Sequence, residues 1–266
     1  MDLGLKRRVA IVAASSQGLG KAAAMTLAQE GAYVVLLARD KKRIQAAAKE
    51  ITKHAGKKSV AILPLVADVA KAKDITRVVQ TTLKEFGRID ILVTNAGGPP
   101  SGGFMDLDDE KWMTGINLNL MSVIRFIRAV LPYMQKQKFG RIINITSLTV
   151  KQPSNDLIIS STVRPGIIGL SKVLSNLYAK DGITINNVAP GFIMTGRQQE
   201  LGAARAAKKG ISFEDYVAES SKEIPAGRFG KPDELASVIV FLASTKASYV
   251  NGVTLSVDGG LVKGLL

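Results

Sequence analysis

The sequence predicts an α/β protein with a doubly wound, mostly parallel seven-stranded sheet and helices on both faces. Short runs rich in β-branched residues alternate with segments of helical period, the pattern of successive βαβ units. A glycine-rich turn joins the first apolar run to the first helical one. The length of 266 residues and an apolar share of 46% suit one large core, so residues 1–266 are expected to form a single domain.

The elements follow in order. Val9–Ala13 reads as the first strand, and the next helix runs from about Leu19 to Glu30, with Gly31 at its C-cap. Tyr33–Ala38 is the second strand. Ile44, Ala47, Ala48, Ile51 and Ala55 mark one face of a helix that Gly56 ends. Val60–Val66 and Ile89–Val93 are the third and fourth strands, around a helix at Asp74–Phe86. A long helical region at Asp108–Lys138 leads to the fifth strand, Arg141–Thr146. Leu157–Lys180 is helical and Thr184–Val188 is the sixth strand. Thr195–Lys222, polar and rich in Ala and Gly, reads as a mobile, lid-like insertion with short helices. A helix at Pro232–Ala243 and a strand at Thr254–Val257 close the chain.

Composition narrows the function. With no cysteine, disulfides, thiol catalysis and cysteine-ligated metals are excluded, and the sole histidine, His54, stands at a helix end, where no metal site assembles around it. No apolar run approaches the ~18–20 residues that cross a membrane, and Met1–Arg8 lacks the apolar core of a signal peptide, so the expected location is cytoplasmic. The net charge of +14 raises the prospect of polyanionic partners. The basic residues are nevertheless spread over many helices and are not interleaved with aromatics, at 5% of the chain, which argues against nucleic acid.

Ala14-Ser15-Ser16-Gln17-Gly18-Leu19-Gly20 links the first strand to the first helix. Glycines there let backbone approach a phosphate, and the helix N-terminus supplies free N–H groups and partial positive charge. Ser15 and Ser16 are expected to add hydroxyl donors. This strand–turn–helix arrangement points to a nicotinamide dinucleotide on a Rossmann fold. The second strand ends Leu37-Ala38-Arg39: no acidic residue receives the ribose 2′-OH, and Arg39 is placed to pair with a 2′-phosphate, which predicts NADP(H) in preference to NAD(H).

On these and further motifs the chain resembles the short-chain dehydrogenase/reductase family over nearly its whole length. The glycine turn resembles TGxxxGIG, with Ala14 where threonine is usual. Asp68-Val69 resembles the pair that holds the adenine, and Thr94-Asn95-Ala96-Gly97 resembles the NNAG segment beside the cofactor. Asn117 falls at the asparagine of the family's catalytic tetrad, and Ser147, ending Ile145-Thr146-Ser147, at its substrate-orienting serine. Pro190-Gly191-Phe192-Ile193 resembles the segment that closes over the nicotinamide, with Thr195 near the carboxamide or phosphates. Asn251-Gly252 and Val257–Gly260 resemble the C-terminal signature.

The resemblance breaks at the catalytic acid. The family places a tyrosine there and a lysine four residues on, sharing one helix face so that the ammonium lowers the phenol's pKa. Gly166–Lys172 fixes the alignment and puts Ser160 at the tyrosine and Arg164 at the lysine, and none of the five tyrosines is followed by lysine at that spacing. Serine is a poor general acid near neutrality, and arginine holds a ribose but does not relay a proton. Lys151, four residues after Ser147, is a substitute acid to weigh against an ordinary loop lysine.

Gly98–Phe104 is expected to wall the substrate side, and Phe192, Ile193 and Met194 with the insertion to form an apolar lid. Among relatives of this kind the chain most resembles 3-oxoacyl-(acyl-carrier-protein) reductases, which implies a small-molecule or acyl-thioester substrate and a homotetramer. The resulting expectation is an NADP(H)-dependent carbonyl reductase with an atypical centre, in which Ser147, Asn117 and Ser160 polarise the carbonyl and Arg164 holds the ribose. The alternative is an NADP(H)-binding sensor or partner protein with weak catalysis or none.

Overall fold

The computed structural model describes residues 1–55 and 60–264; Gly56, assigned above to a helix end, lies outside them. Among the described residues, β1 (Val9–Val12), β2 (Tyr33–Ala38), β3 (Ile62–Val66), β4 (Ile91–Thr94), β5 (Gly140–Ile145), β6 (Ile183–Pro190) and β7 (Thr254–Val257) form one parallel sheet in the order β3-β2-β1-β4-β5-β6-β7. The central strands are buried on both faces, which is why they read as continuous apolar runs. In register, Val12 lies between Leu36 and Val93.

Alternate side chains feed two cores. Val12, Leu36, Val93 and Ile145 pack with α1 (Gly18–Gln29), α2 (Lys41–His54) and α10 (Pro232–Ala243), through residues such as Leu27, Ile51 and Ile239. Ile11, Leu37, Leu92 and Ile142 face α3 (Ala72–Phe86), α5 (Ser122–Gln137) and α7 (Pro165–Tyr178), through Val78, Phe126 and Ile167. The chain leaves β1 toward one edge of the sheet and returns at β4 to build toward the other. The strand order therefore reverses between β1 and β4, the place where such sheets open a crevice at their carboxyl ends.

Three helical segments differ from expectation. The region at 108–138 contains α4 (Asp109–Gly115), a π-helical turn at Ile116–Met121, and then α5. Asp109–Gln137 is the one stretch among the described residues long and apolar enough in composition to cross a membrane, contrary to the reading that no run approaches that size. Its apolar face, with Phe126, Val130 and Met134 almost fully buried, is spent on the sheet. The helix expected at Leu157–Lys180 breaks at Arg164 into α6 (Ile158–Val163) and α7, because Pro165 has no N–H to continue the ladder.

The expected insertion is instead a pair of full helices, α8 (Gly196–Lys209) and α9 (Phe213–Glu223). They enclose a small core of Ala206, Tyr216, Ile224 and Phe229, joined by Phe192 and Met194.

Candidate functional site

The turn after β1 is shaped by backbone constraint. Gly18 has φ +58°, a conformation that a Cβ disfavours. At Gly20 a Cβ would lie 2.5 Å from the Ala14 carbonyl oxygen and 2.9 Å from Asn95 Nδ2, so only glycine lets α1 start this close to the sheet. Asn95 Nδ2 donates to that same carbonyl at 3.3 Å, joining the ends of β1 and β4. Gln17 precedes α1 without a side-chain cap, and the helix N-terminus opens onto a cleft of about 780 Å³.

The structure brings most of the expected residues to that cleft. Ala14, Ser16, Gln17, Gly18 and Leu19 line one end, with Arg39 and, one helical turn on, Arg43. Asp68, Val69, Asn95, Ala96 and Gly97 follow from the ends of β3 and β4. Ser147, Ser160 and Arg164 line the middle, and Pro190, Gly191, Ile193 and Thr195 the far rim. Thr195 also caps α8, its Oγ1 accepting from the Gln198 N–H, and its methyl lies over Gly18. Gly20 stands behind the turn as a packing residue.

Three placements correct the sequence reading. Ser15 is fully buried: its hydroxyl oxygen accepts from the Leu37 N–H (3.0 Å) and its own N–H donates to Leu37 O (3.0 Å). It therefore ties β1 to β2, and Ser16 alone offers its side chain to the cleft. Asn117 is not among the lining residues; its Oδ1 accepts from Arg125 Nη2 at 3.3 Å. Lys151 is likewise outside the lining, because the 3-10 turn at Leu148–Val150 brings Gln152 and Pro153 inward instead.

Asn119, which the sequence reading passed over, is 2% exposed in the same π-helical turn. Its Nδ2 donates to Gly115 O, and its Oδ1 has no hydrogen-bond partner among the described residues. The readable signal was Asn-Leu-Asn inside an apolar run; which asparagine turns inward depends on the wide turn.

The central hydroxyls form a set that includes a residue the sequence did not flag. Thr149 N–H donates to Ser147 Oγ (3.2 Å), and Thr149 Oγ1 lies 2.9 Å from Ser160 Oγ. The Ser147 hydroxyl already accepts a bond, so its own proton is free to point into the cleft. Within the Thr149–Ser160 pair one proton bridges the two oxygens and the other stays free.

Arg164 is buried behind them. Its Nη1 donates to Thr146 O (3.0 Å) and Ile145 O (3.3 Å), and its Nε has no partner among the described residues. Among the described residues no carboxylate pairs with it, and burial brings its pKa down from 12.5 to about 10. A buried cation without a counter-charge is costly, so this group is set up to meet an acceptor from outside the chain.

On the lid side, Arg205 of α8 reaches across to the loop after β5. Its Nε donates to Asp156 Oδ2 (2.8 Å) and its Nη1 to Tyr216 OH (3.1 Å). Burial alone pushes the Asp156 carboxyl up, but the Arg205 guanidinium and the Ser154 hydroxyl outweigh it and hold it below the usual range. Burial opposes the Arg205 charge and Asp156 restores it. Tyr216 is the one tyrosine lining the cleft. The expected apolar lid is therefore only partly apolar: Phe192 and Leu201 line it beside Gln198, Arg205 and Tyr216.

Comparison with known proteins agrees with this geometry. Residues 13–262 match a family described as enoyl-(acyl carrier protein) reductase. The chain is 35% identical over 258 residues to 3-oxoacyl-(acyl-carrier-protein) reductase FabG of Thermotoga maritima, covering 97% of this chain and 99% of that protein. It is 37% identical over 260 residues to the corresponding reductase of Synechocystis sp., covering 97% and 98%. The structure of L-sorbose reductase from Gluconobacter frateurii, complexed with NADPH and L-sorbose, superposes with a TM-score of 0.93 at 34% identity over 100% of both chains.

Proposed function

The chain belongs to the short-chain dehydrogenase/reductase family, and on that premise we propose that it is an NADP(H)-dependent carbonyl reductase with an altered catalytic centre. One observation carries the reading: the N-terminus of α1, which Gly20 lets start against the sheet, and a buried Arg164 with no carboxylate partner among the described residues open onto the same cleft. Relatives named as reductases, and a structural neighbour solved with NADPH, support it.

The residues present fit a dinucleotide phosphate. In this reading, backbone N–H groups at Ser16–Gly20 hold the pyrophosphate, and Arg39, joined by Arg43, holds the 2′-phosphate and sets the preference over NAD(H). Asp68 and Val69 border the adenine. Asn95–Gly97, Pro190–Ile193 and Thr195 surround the nicotinamide end, and Arg164 meets the ribose hydroxyls with its unspent Nε. The bound cofactor supplies hydride.

The chain's own part is to polarise the carbonyl and stabilise the charge that develops on its oxygen. Ser147 donates its free proton, the Thr149–Ser160 pair donates a second, and the Arg164 charge acts across the same cleft. Preorganised donors of this kind contribute about 3–4 kcal/mol each where one has been removed and measured.

A second reading, tight NADP(H) binding without turnover, is favoured by the Ser160 hydroxyl, which takes the phenol's place yet is tied to Thr149. Steady-state NADPH oxidation with 3-oxoacyl thioesters, ketones and aldehydes, run beside NADPH fluorescence titration, separates the two. Turnover supports the reductase. Tight binding with no turnover across the panel overturns it.

Assembly is part of the proposal. Exposed Val173 and Leu177 on α7, Tyr133 on α5 and Leu255 on β7 support a homo-oligomer, with a tetramer expected by sedimentation.

A further inference from the structure

The lid helices turn a polar stripe toward the cleft. α8 presents Gln198, Leu201 and Arg205, spaced i, i+3 and i+7 on one face, and α9 presents Tyr216 and Ser220. The small-residue side of α8, Gly202 and Ala206, is used against Phe213 and Tyr216 to hold the two helices together. Helices closing over an alkyl chain would turn apolar residues to it; of the residues that α8 and α9 give the cleft, Leu201 is the one aliphatic side chain.

Across the cleft, Ser154 Oγ donates to Asp156 Oδ1 (2.6 Å), and Arg205 Nε donates to Asp156 Oδ2 (2.8 Å). This network leaves hydrogen-bonding capacity on Arg205 and on the Tyr216 hydroxyl proton. A second observation is independent of it: Gln198 Nε2, buried at the cleft wall, has no partner among the described residues. The cations that α8 gives this end of the cleft are paired, Arg197 with Glu200 (3.0 Å), Arg205 with Asp156 (2.8 Å) and Lys209 with Glu219 (2.9 Å), so the lid side holds no surplus positive charge for an anion.

We propose that this part of the cleft binds the non-reacting end of a neutral, hydroxyl-rich ketone of sugar size, and not a fatty acyl chain. The inference rests on the reductase reading and names its substrate class. Hydroxyl groups both accept from Gln198 and Arg205 and donate to Asp156. An alkyl chain in their place would strip water from the ion pair and leave the Gln198 donor permanently unpaired.

The test is steady-state NADPH oxidation by the full chain with fructose and ribulose against the N-acetylcysteamine thioester of 3-oxobutanoate. kcat/KM is expected to favour the ketoses by about tenfold or more, the direction in which hydrogen-bonding sites discriminate. Gln198→Leu, which breaks no side-chain hydrogen bond among the described residues, and Arg205→Met should each lower the ketose-to-thioester ratio by about tenfold, chiefly through KM. Thermal unfolding of both variants checks that they fold.

A thioester preference, or a ratio unmoved in Gln198→Leu, overturns this inference while the reductase stands. If NADPH binds and no carbonyl is reduced, the reductase reading is the one that fails. Calorimetric titration of fructose into the NADPH complex then decides the pocket: binding that Gln198→Leu abolishes supports it, and no binding overturns it.

Discussion

Replacing Arg164 with methionine separates a functional guanidinium from a structural one. Burial carries its pKa from 12.5 to about 10, which at ~1.36 kcal/mol per pH unit is a burden of roughly 3 kcal/mol on the charged form. For a base whose folded value lies below the unfolded one, that burden is complete at neutral pH and lifts only as pH rises through about 10. Two hydrogen bonds, to Thr146 O and Ile145 O, offset it by about 1 kcal/mol each.

In the ligand-free protein the guanidinium is thus near neutral or a net cost of about 1 kcal/mol. Methionine has similar length and no charge, so Arg164→Met should change the unfolding free energy by no more than about 1 kcal/mol in either direction. It should also raise the NADPH Kd by about tenfold or more, because the guanidinium donor for the ribose is lost. Chemical denaturation without ligand and fluorescence titration with NADPH give the two numbers. Destabilisation of about 3 kcal/mol or more with an unchanged Kd would show that Arg164 only braces the end of β5, and the reasoning would fail.

Other consequences follow from the same geometry. Gly20→Ala forces a Cβ to 2.5 Å from Ala14 O, so the midpoint of thermal unfolding should fall by an amount worth about 1–3 kcal/mol, with loss of NADPH binding. Arg39→Ala should weaken NADPH by about tenfold or more and bring its Kd toward that of NADH, read by titrating both. Ser147→Ala should lower kcat by about 10²–10³ with little change in NADPH affinity, measured on whichever ketone is turned over. Asp156→Asn should destabilise by no more than about 1 kcal/mol at neutral pH, since Asp156 is 41% exposed and water screens its pair. The Asp156 carboxyl is held below its ordinary value, so the pair's contribution is complete above that value and is lost as pH falls through the lower folded one. The gap between Asn and Asp forms should therefore close in acid.

The order of elements, the phosphate turn and the missing tyrosine–lysine pair were legible in the sequence, because each is a local property. Apolar period, turn chemistry and an i, i+4 spacing are set by residues a few positions apart. Arg39 was found for the same reason: it immediately follows the β2 segment Tyr33–Ala38, and the strand fixes where it emerges. The helix break before Pro165 was equally available, since a missing N–H is a local fact, and the apolar period of 157–180 masked it.

Tertiary structure alone decided which way the ambiguous polar side chains point. Ser15 gives its hydroxyl to Leu37, Asn117 rather than Asn119 meets Arg125, and Thr149 finds Ser160 eleven residues on. The polarity of the lid was hidden similarly, because Arg205 earns its inward position from Asp156, 49 residues earlier in the chain. A buried polar group goes where its hydrogen-bonding partner is, and in this sheet those partners come from strands and loops that only folding brings together.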